Sequence, residues 1–146
     1  LKKSFTLLEL VFVIVVIGIL AGVALPRLFT GVDDAVKAKV KTEVSTINAA
    51  IASKYTKNIL SNNNSCPKLE GNPDKPNYFF EGVLSQPIPK NDNMLKWDGN
   101  GTDYNVTYQG KIIYFNYIQD QDDKGCIFEC NTTKSTSKDF NCSIFK

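Results

Sequence analysis

The sequence contains no histidine, one methionine and one tryptophan, and its 17 Lys and Arg are nearly balanced by 15 Asp and Glu, for a net charge of +2. Without histidine there is no Ser-His-Asp or Cys-His triad, and no nucleophile motif takes its place, so an enzyme is not expected. The mixed charges leave no basic stripe of the kind that tracks nucleic acid, and no field strong enough to imply an anionic surface. No cysteine precedes Cys66. The four present, Cys66, Cys126, Cys130 and Cys142, lack paired C-x-x-C spacing and have no histidine beside them, which argues against zinc. An even number in a small domain with a marginal core points to two disulfides and an oxidising compartment, with three pairings open. Within 146 residues there is room for one small domain once the apolar block near the start is set aside.

That block, Phe5 to Leu25, is 21 residues long, with one charge, Glu9, inside it and with Lys2, Lys3 and Arg27 at its flanks. As a helix it would reach about 31 Å, enough for a bilayer core of about 30 Å. Lys2 and Lys3 favour a cytoplasmic N-terminus, although Arg27, Lys37, Lys39 and Lys41 follow on the other side. An acid in a spanning segment costs roughly 2.5–3.5 kcal/mol near the centre, so Glu9 near the end either reaches the headgroups or neutralises a positive group on a neighbouring subunit. Gly22-Val23-Ala24 has the small residues of a signal-peptidase site, but Glu9 and Pro26 oppose that reading, and no cysteine follows closely enough for a lipoprotein.

The run Lys2-Lys3-Ser4-Phe5-Thr6-Leu7-Leu8-Glu9-Leu10, leading into an apolar stretch with Gly18 and Pro26, resembles the type III signal sequence of type IV pilins and pseudopilins. The resemblance is close over residues 2–29 and extends in helical character to about residue 60. It implies that a prepilin peptidase cuts between Ser4 and Phe5 and methylates the new Phe5 amine. Glu9 would pair with the Phe5 amine of an adjacent subunit, and Gly18 and Pro26 would occupy the helix-weakening positions. Ser4 departs from the glycine usual before the cut, and as a small residue it is expected to slow processing without preventing it.

Beyond Pro26, apolar residues recur every three or four positions: Phe29, Val32, Val36, Val40, Val44, Ile47, Ile51, Tyr55 and Ile59. This is the period of a helix with one apolar face. Pro26 deprives the carbonyl of Gly22 of its bond, which predicts a kinked but nearly continuous helix from Phe5 to about Leu60. So long a helix could be a coiled-coil stalk, but the interleaved Ala35, Ala38, Ala49, Ala50 and Ala52, followed by a β-like region, favour packing of its later half on a sheet.

Ser61 to Asn77 is rich in turn formers and reads as a surface loop, and Gln86 to Lys90 reads as irregular. Tyr78 to Leu84 is compatible with a short strand or a helical turn. Tyr104–Tyr108 and Lys111–Tyr117 flank Gln109-Gly110 as a hairpin. Cys126–Cys130 and Asp139–Phe145 add strands or a stapled loop. The segment Cys130–Cys142 resembles the disulfide-closed loop of many pilins, and with that resemblance Cys66–Cys126 and Cys130–Cys142 are the favoured pairs.

Asn-x-Ser/Thr acceptors occur at Asn63, Asn100, Asn105, Asn131 and Asn141, and four of the five have an acid two residues earlier: Asp98, Asp103, Glu129 and Asp139. The pattern resembles the extended acceptor of bacterial N-glycosylation, making Asn100, Asn105, Asn131 and Asn141 candidates. Two acidic clusters, Asp120/Asp122/Asp123 and Asp98/Asn100/Asp103, could offer oxygens to calcium, but neither has the twelve-residue loop pattern, and no metal or cofactor is expected.

The expectation is therefore an α+β protein of the type IV pilin fold. It would comprise a leader at 1–4, a transmembrane and filament-core helix at 5–26, an amphipathic continuation at 27–60 and a β-rich head at 61–146. Its implied partners are copies of itself and related pilins, prepilin peptidase, assembly-platform proteins and the inner membrane before assembly. The head would stand in the periplasm and then in a periplasmic or cell-surface filament. The alternative is a minor pilin whose head binds DNA or a surface, and nucleic acid is a partner only in that DNA-uptake setting.

Overall fold

A computed structural model of the chain describes residues 4–71, 76–120 and 125–146, with the side chains of residues 26–30 and 120 outside the description. Lys2 and Lys3, Asp122 and Asp123, and the side chains of Pro26, Phe29 and Asp120 thus lie outside the described residues. Two compact units make up the chain, Leu1–Val36 and Lys37–Lys146.

Helix α1 (Leu7–Leu60) contributes to both units. It begins two residues later than Phe5 because Thr6 caps it. The Thr6 Oγ1 accepts the Glu9 N–H at 3.3 Å, and the Thr6 carbonyl accepts the Leu10 N–H at 3.1 Å. Leu7–Leu25 has a mean hydropathy of 2.9 and none of it is buried. Val and Ile dominate this run and are mediocre helix formers in water. In an apolar medium the helix is favoured because it satisfies every backbone polar group internally.

From Lys37 onward the stripe continues as a buried seam. Val40, Val44, Ile47 and Ile51 are buried and Tyr55 is half-buried, while Ile59 at the end is 46% exposed. The asparagine run then terminates α1. Asn62 takes a left-handed φ of 60°, its N–H bonds the carbonyl of Ile59 at 2.9 Å, and the Asn63 N–H reaches back to the carbonyl of Asn58 at 2.9 Å. This is a Schellman ending with Asn in the place glycine usually takes.

Strands β1 (Tyr78–Phe79) and β2 (Ile88–Pro89) form a small antiparallel pair. Tyr78 to Leu84 is thus a short strand followed by a turn, and the Pro-rich Gln86 to Lys90, expected to be irregular, contains β2. Pro89 is tolerated because so short a strand has few ladder bonds to lose. The main sheet is an antiparallel meander in the order β3 (Lys96–Gly99), β4 (Asp103–Tyr108), β5 (Lys111–Asp120) and β6 (Gly125–Cys130). The β4–β5 hairpin turns on Gln109 and Gly110, at φ 48° and 77°. Positive φ at both central residues matches the right-handed twist of the strands.

Alternation assigns the faces. Tyr104, Val106 and Tyr108 of β4, Ile113, Phe115 and Tyr117 of β5 and Phe128 of β6 are buried. Asp103, Asn105, Asn116 and Glu129 are among the intervening residues on the opposite face. Phe80 joins the inner face: its ring centroid is 4.8 Å from Tyr104, 5.5 Å from Trp97 and 5.5 Å from Phe128. Phe80 also adopts φ 64°, which is costly for a bulky side chain, yet it is completely buried. Its burial and ring contacts, worth about 2–3 kcal/mol, offset that strain. Two residues on, the Gly82 N–H bonds the carbonyl of Leu69 at 2.9 Å, and a Cβ there would lie 2.1 Å from the Lys68 carbonyl oxygen.

Two polar residues of α1 tie it to the sheet. Glu43 Oε2 accepts the Trp97 indole N–H at 2.9 Å. Burial raises the Glu43 carboxyl above its ordinary pKa, while the Trp97 hydrogen bond and Lys39 oppose that rise. Asn48 donates through Nδ2 to the Phe128 carbonyl at 2.9 Å and accepts the Phe128 N–H at 3.2 Å. Phe128 lies on β6, an edge strand, so one carboxamide occupies backbone groups that would otherwise be open to another chain.

The disulfides are Cys66–Cys126 and Cys130–Cys142. Each uses a cysteine of β6, which is therefore clamped near both ends. The final segment is a 3₁₀ turn, Cys142–Phe145, rather than a further strand. It is docked by Phe145 against Phe115 at 5.7 Å between ring centroids, and the loop before it by buried Ser135, whose Oγ accepts the Tyr114 N–H at 2.8 Å.

Candidate functional site

The first described residues, Ser4 and Phe5, are exposed and lie outside α1, with Phe5 at 76%. Glu9 is the acid of the first helical turn, and Thr6-Leu7-Leu8-Glu9 has the Thr-x-x-Glu spacing of a capping box. The observed half of that box is the Thr6 Oγ1 bond described above. A carboxylate in this turn also faces the positive end of the helix dipole. Gly18 has open space around it, with nothing within 4 Å of where a Cβ would stand, so the unit supplies no steric reason for glycine there. Ser4, Phe5 and Glu9 thus gather within about one turn of the helix start, and Gly18 lies farther along the uncovered span.

The other sequence candidates sit in the second unit. Asn100 is exposed in the β3–β4 turn, Asn105 is in the middle of β4, Asn131 follows β6 and Asn141 caps the last 3₁₀ turn. Within the Asp98/Asn100/Asp103 group each side chain has an oxygen engaged by its own loop or by β5. Asp98 Oδ1 accepts the Gly99 N–H, Asn100 Oδ1 accepts the Asp103 N–H at 2.8 Å, and Asp103 Oδ1 accepts from Asn116 Nδ2 at 2.7 Å. Among the described residues no group of three or more His, Cys, Asp or Glu could hold a metal ion.

One cluster carried no signal in the sequence. Glu70 Oε1 accepts the Tyr104 hydroxyl at 2.8 Å and the Phe80 N–H at 3.3 Å, while Glu81 Oε1 accepts the Gly71 N–H at 3.1 Å. The two carboxyls are hydrogen-bonded to each other. Burial, and then the bond to Glu81, push Glu70 up to about 7. Tyr104 is pushed upward by burial and by Glu70, and Tyr117, whose hydroxyl donates to the Pro67 carbonyl at 2.7 Å, is pushed by burial up to about 12. Glu70 and Glu81 are eleven positions apart and meet only because the loop after α1 folds back onto β4.

Among known protein families, the model of the prokaryotic N-terminal methylation motif matches residues 1–25. The chain carries a prepilin-type methylation motif. No curated protein and no solved structure matches the chain. The motif takes in Ser4, Phe5, Glu9 and Gly18, and Pro26 lies one residue beyond it. It is consistent with the type IV pilin and pseudopilin family, which is structural rather than catalytic. The α+β arrangement is pilin-like: a long N-terminal helix, a four-stranded antiparallel sheet and disulfides towards the C-terminus. A prepilin-type motif leading into an apolar helix suggests membrane anchoring before assembly, and the family in general is processed by prepilin peptidase and assembles into filaments.

Proposed function

We propose that the protein is a structural subunit of a membrane-anchored helical filament, a type IV pilus or a secretion or DNA-uptake pseudopilus. A prepilin peptidase cuts it between Ser4 and Phe5 and methylates the Phe5 amine. The observation that carries this reading is the span Leu7–Leu25, which has a mean hydropathy of 2.9, has no buried residue and follows a prepilin-type motif. Each large aliphatic side chain left in water forgoes about 1.5–3 kcal/mol, so the span requires a cover. Lipid supplies it before assembly and neighbouring helices supply it afterwards. Because lipid tails and other apolar helices are similar solvents, transfer between them has a small net cost.

In this reading residues 1–4 are the leader, 5–26 the membrane and filament-core segment, 27–60 the continuing helix and 61–146 the periplasmic or surface-exposed head. Glu9 sets the stagger between subunits. Withdrawn from water it is costly, and the freed Phe5 amine of an adjacent subunit compensates it. Gly18 and Pro26 loosen the helix so that it can adjust as it packs.

The test is Glu9→Ala in the full chain. Membrane insertion should remain normal, because a charge is removed from an apolar run, while filament yield should fall at least tenfold. Unchanged filament yield would refute the pairing role. Unmethylated, uncut chain in the native host would refute the processing step.

A further inference from the structure

We propose that Asn100, in the turn between β3 and β4, is an N-glycosylation site of the folded head. Four acceptors share the acid two residues earlier, but the fold treats their carboxamides differently. Asn131 Nδ2 donates to Asn116 Oδ1 at 2.6 Å, and Asn141 Nδ2 donates to the Ser137 carbonyl at 2.6 Å. Cys142, within the Asn141 acceptor, is also locked in a disulfide. Asn105 is half-buried in the middle of β4, where its backbone pairs with Asp98 of β3 on one side and Tyr114 of β5 on the other. A transferase that takes its acceptor as an extended segment would have to unpair the sheet to seat it. Asn63 is exposed but has Ser61, not an acid, two residues before it.

Asn100 differs on each count. It is exposed, it lies between paired strands and Gly101 follows it at φ 98°. Its Oδ1 accepts the Thr102 N–H at 3.1 Å and the Asp103 N–H at 2.8 Å, and the Thr102 hydroxyl, 3.1 Å away, shares its one proton between Asn100 Oδ1 and Asp103 Oδ2 at 3.3 Å. Among the described residues Nδ2 has no partner. Two backbone donors and the shared hydroxyl on Oδ1 hold the carboxamide in one orientation and draw charge towards oxygen, which makes the Nδ2 protons easier to remove. That hydroxyl belongs to the acceptor's own threonine. The Asp98 side chain is exposed, and its carboxylate uses one oxygen for the Gly99 N–H, which leaves charge for a cationic group on the transferase. Asn100 and Asn105 also border a shared cleft of about 280 Å³ lined by Tyr114 and Asn116, with room for a sugar ring beside the acceptor.

The donor is a lipid-linked glycosyl pyrophosphate. A bond forms between Nδ2 and the sugar C1, the C1–O bond to the pyrophosphate breaks with its electron pair leaving on the phosphate, and Nδ2 gives one proton to a base of the transferase. The experiment is glycopeptide mapping and intact mass of the full chain purified from its native host, beside Asn100→Gln and Asp98→Ala. Asp98→Ala leaves the Asn100 bonds to Thr102 and Asp103 in place, so it reports on the acid and not on the turn. The expected result is a saccharide on the peptide carrying Asn100, absent from Asn100→Gln and reduced at least tenfold in Asp98→Ala. An unmodified mass overturns the proposal, as does a saccharide on Asn105, Asn131 or Asn141 with Asn100 bare.

Discussion

Glu70 departs from the ordinary behaviour of a carboxylic acid because the fold buries it. Its carboxyl is raised from 4.5 to about 7, by burial and by the bond to Glu81. Below pH 4.5 the folded and unfolded chains both carry the proton. Between 4.5 and 7 the folded state holds a proton that the unfolded state has released, so stability falls as pH rises through this window. Glu43 is raised as well and adds to the trend in the same direction. The melting midpoint of the full chain in detergent should therefore be several degrees higher at pH 5 than at pH 8, and Glu70→Gln should shrink the difference. An equal slope in Glu70→Gln and wild type would remove Glu70 as the source. Nothing in the sequence pointed to this pair, because its contact depends on where a loop returns. Phe80 was equally hidden, since neither its left-handed backbone nor its place at the centre of the aromatic cluster is written in local pattern.

Among the elements, α1 was the most readable. Helical period, the Asn-rich ending and the apolar run are all local signals, and the element ends at Leu60 as its pattern does. The β4–β5 hairpin was readable for the same reason, since alternation and a turn with glycine lie within a dozen residues. Strand β3 has no local signal because Lys96–Gly99 holds a single large apolar residue, Trp97, and its pairing with β4 is what makes it a strand. Asn48 has a faint signal in the sequence: it lies four residues after Val44 and three before Ile51, a polar side chain beside the apolar stripe. Its carboxamide holds both backbone groups of Phe128. Asn48→Ala should therefore destabilise the fold by about 2 kcal/mol in denaturant titration and speed hydrogen exchange at the Phe128 amide. Asn48→Asp keeps an acceptor but no donor, and should be no better than alanine.

For the whole molecule, the prepilin-type motif and the apolar span are legible from the first residues, whereas of the second unit the sequence shows the β4–β5 hairpin and the two favoured disulfides but not how the other segments pack. The difference is physical. A membrane span and a processing signal are read by lipid and by a peptidase along a linear stretch, while the head is specified by contacts between distant segments. Its cross-links should matter in proportion to the chain they close. Cys66–Cys126 spans a sequence separation of 60 and Cys130–Cys142 one of 12. In the chain-entropy model these are worth about 4 and about 3 kcal/mol. The double variant Cys66→Ala/Cys126→Ala should lower the unfolding free energy by more than Cys130→Ala/Cys142→Ala does, measured in the same denaturant titration. A larger loss from the shorter loop would count against the entropic account.

Strand β6, clamped near both ends, also sets how the head would carry a pull. A load entering at the end of α1 reaches Cys66, crosses to Cys126, runs along β6 to Cys130 and leaves through Cys142. The chain between 66 and 126, with β1 to β5 in it, is bypassed by covalent bonds. Tension along this route would stretch one short strand and two sulfur bridges, and would not peel the sheet apart hydrogen bond by hydrogen bond.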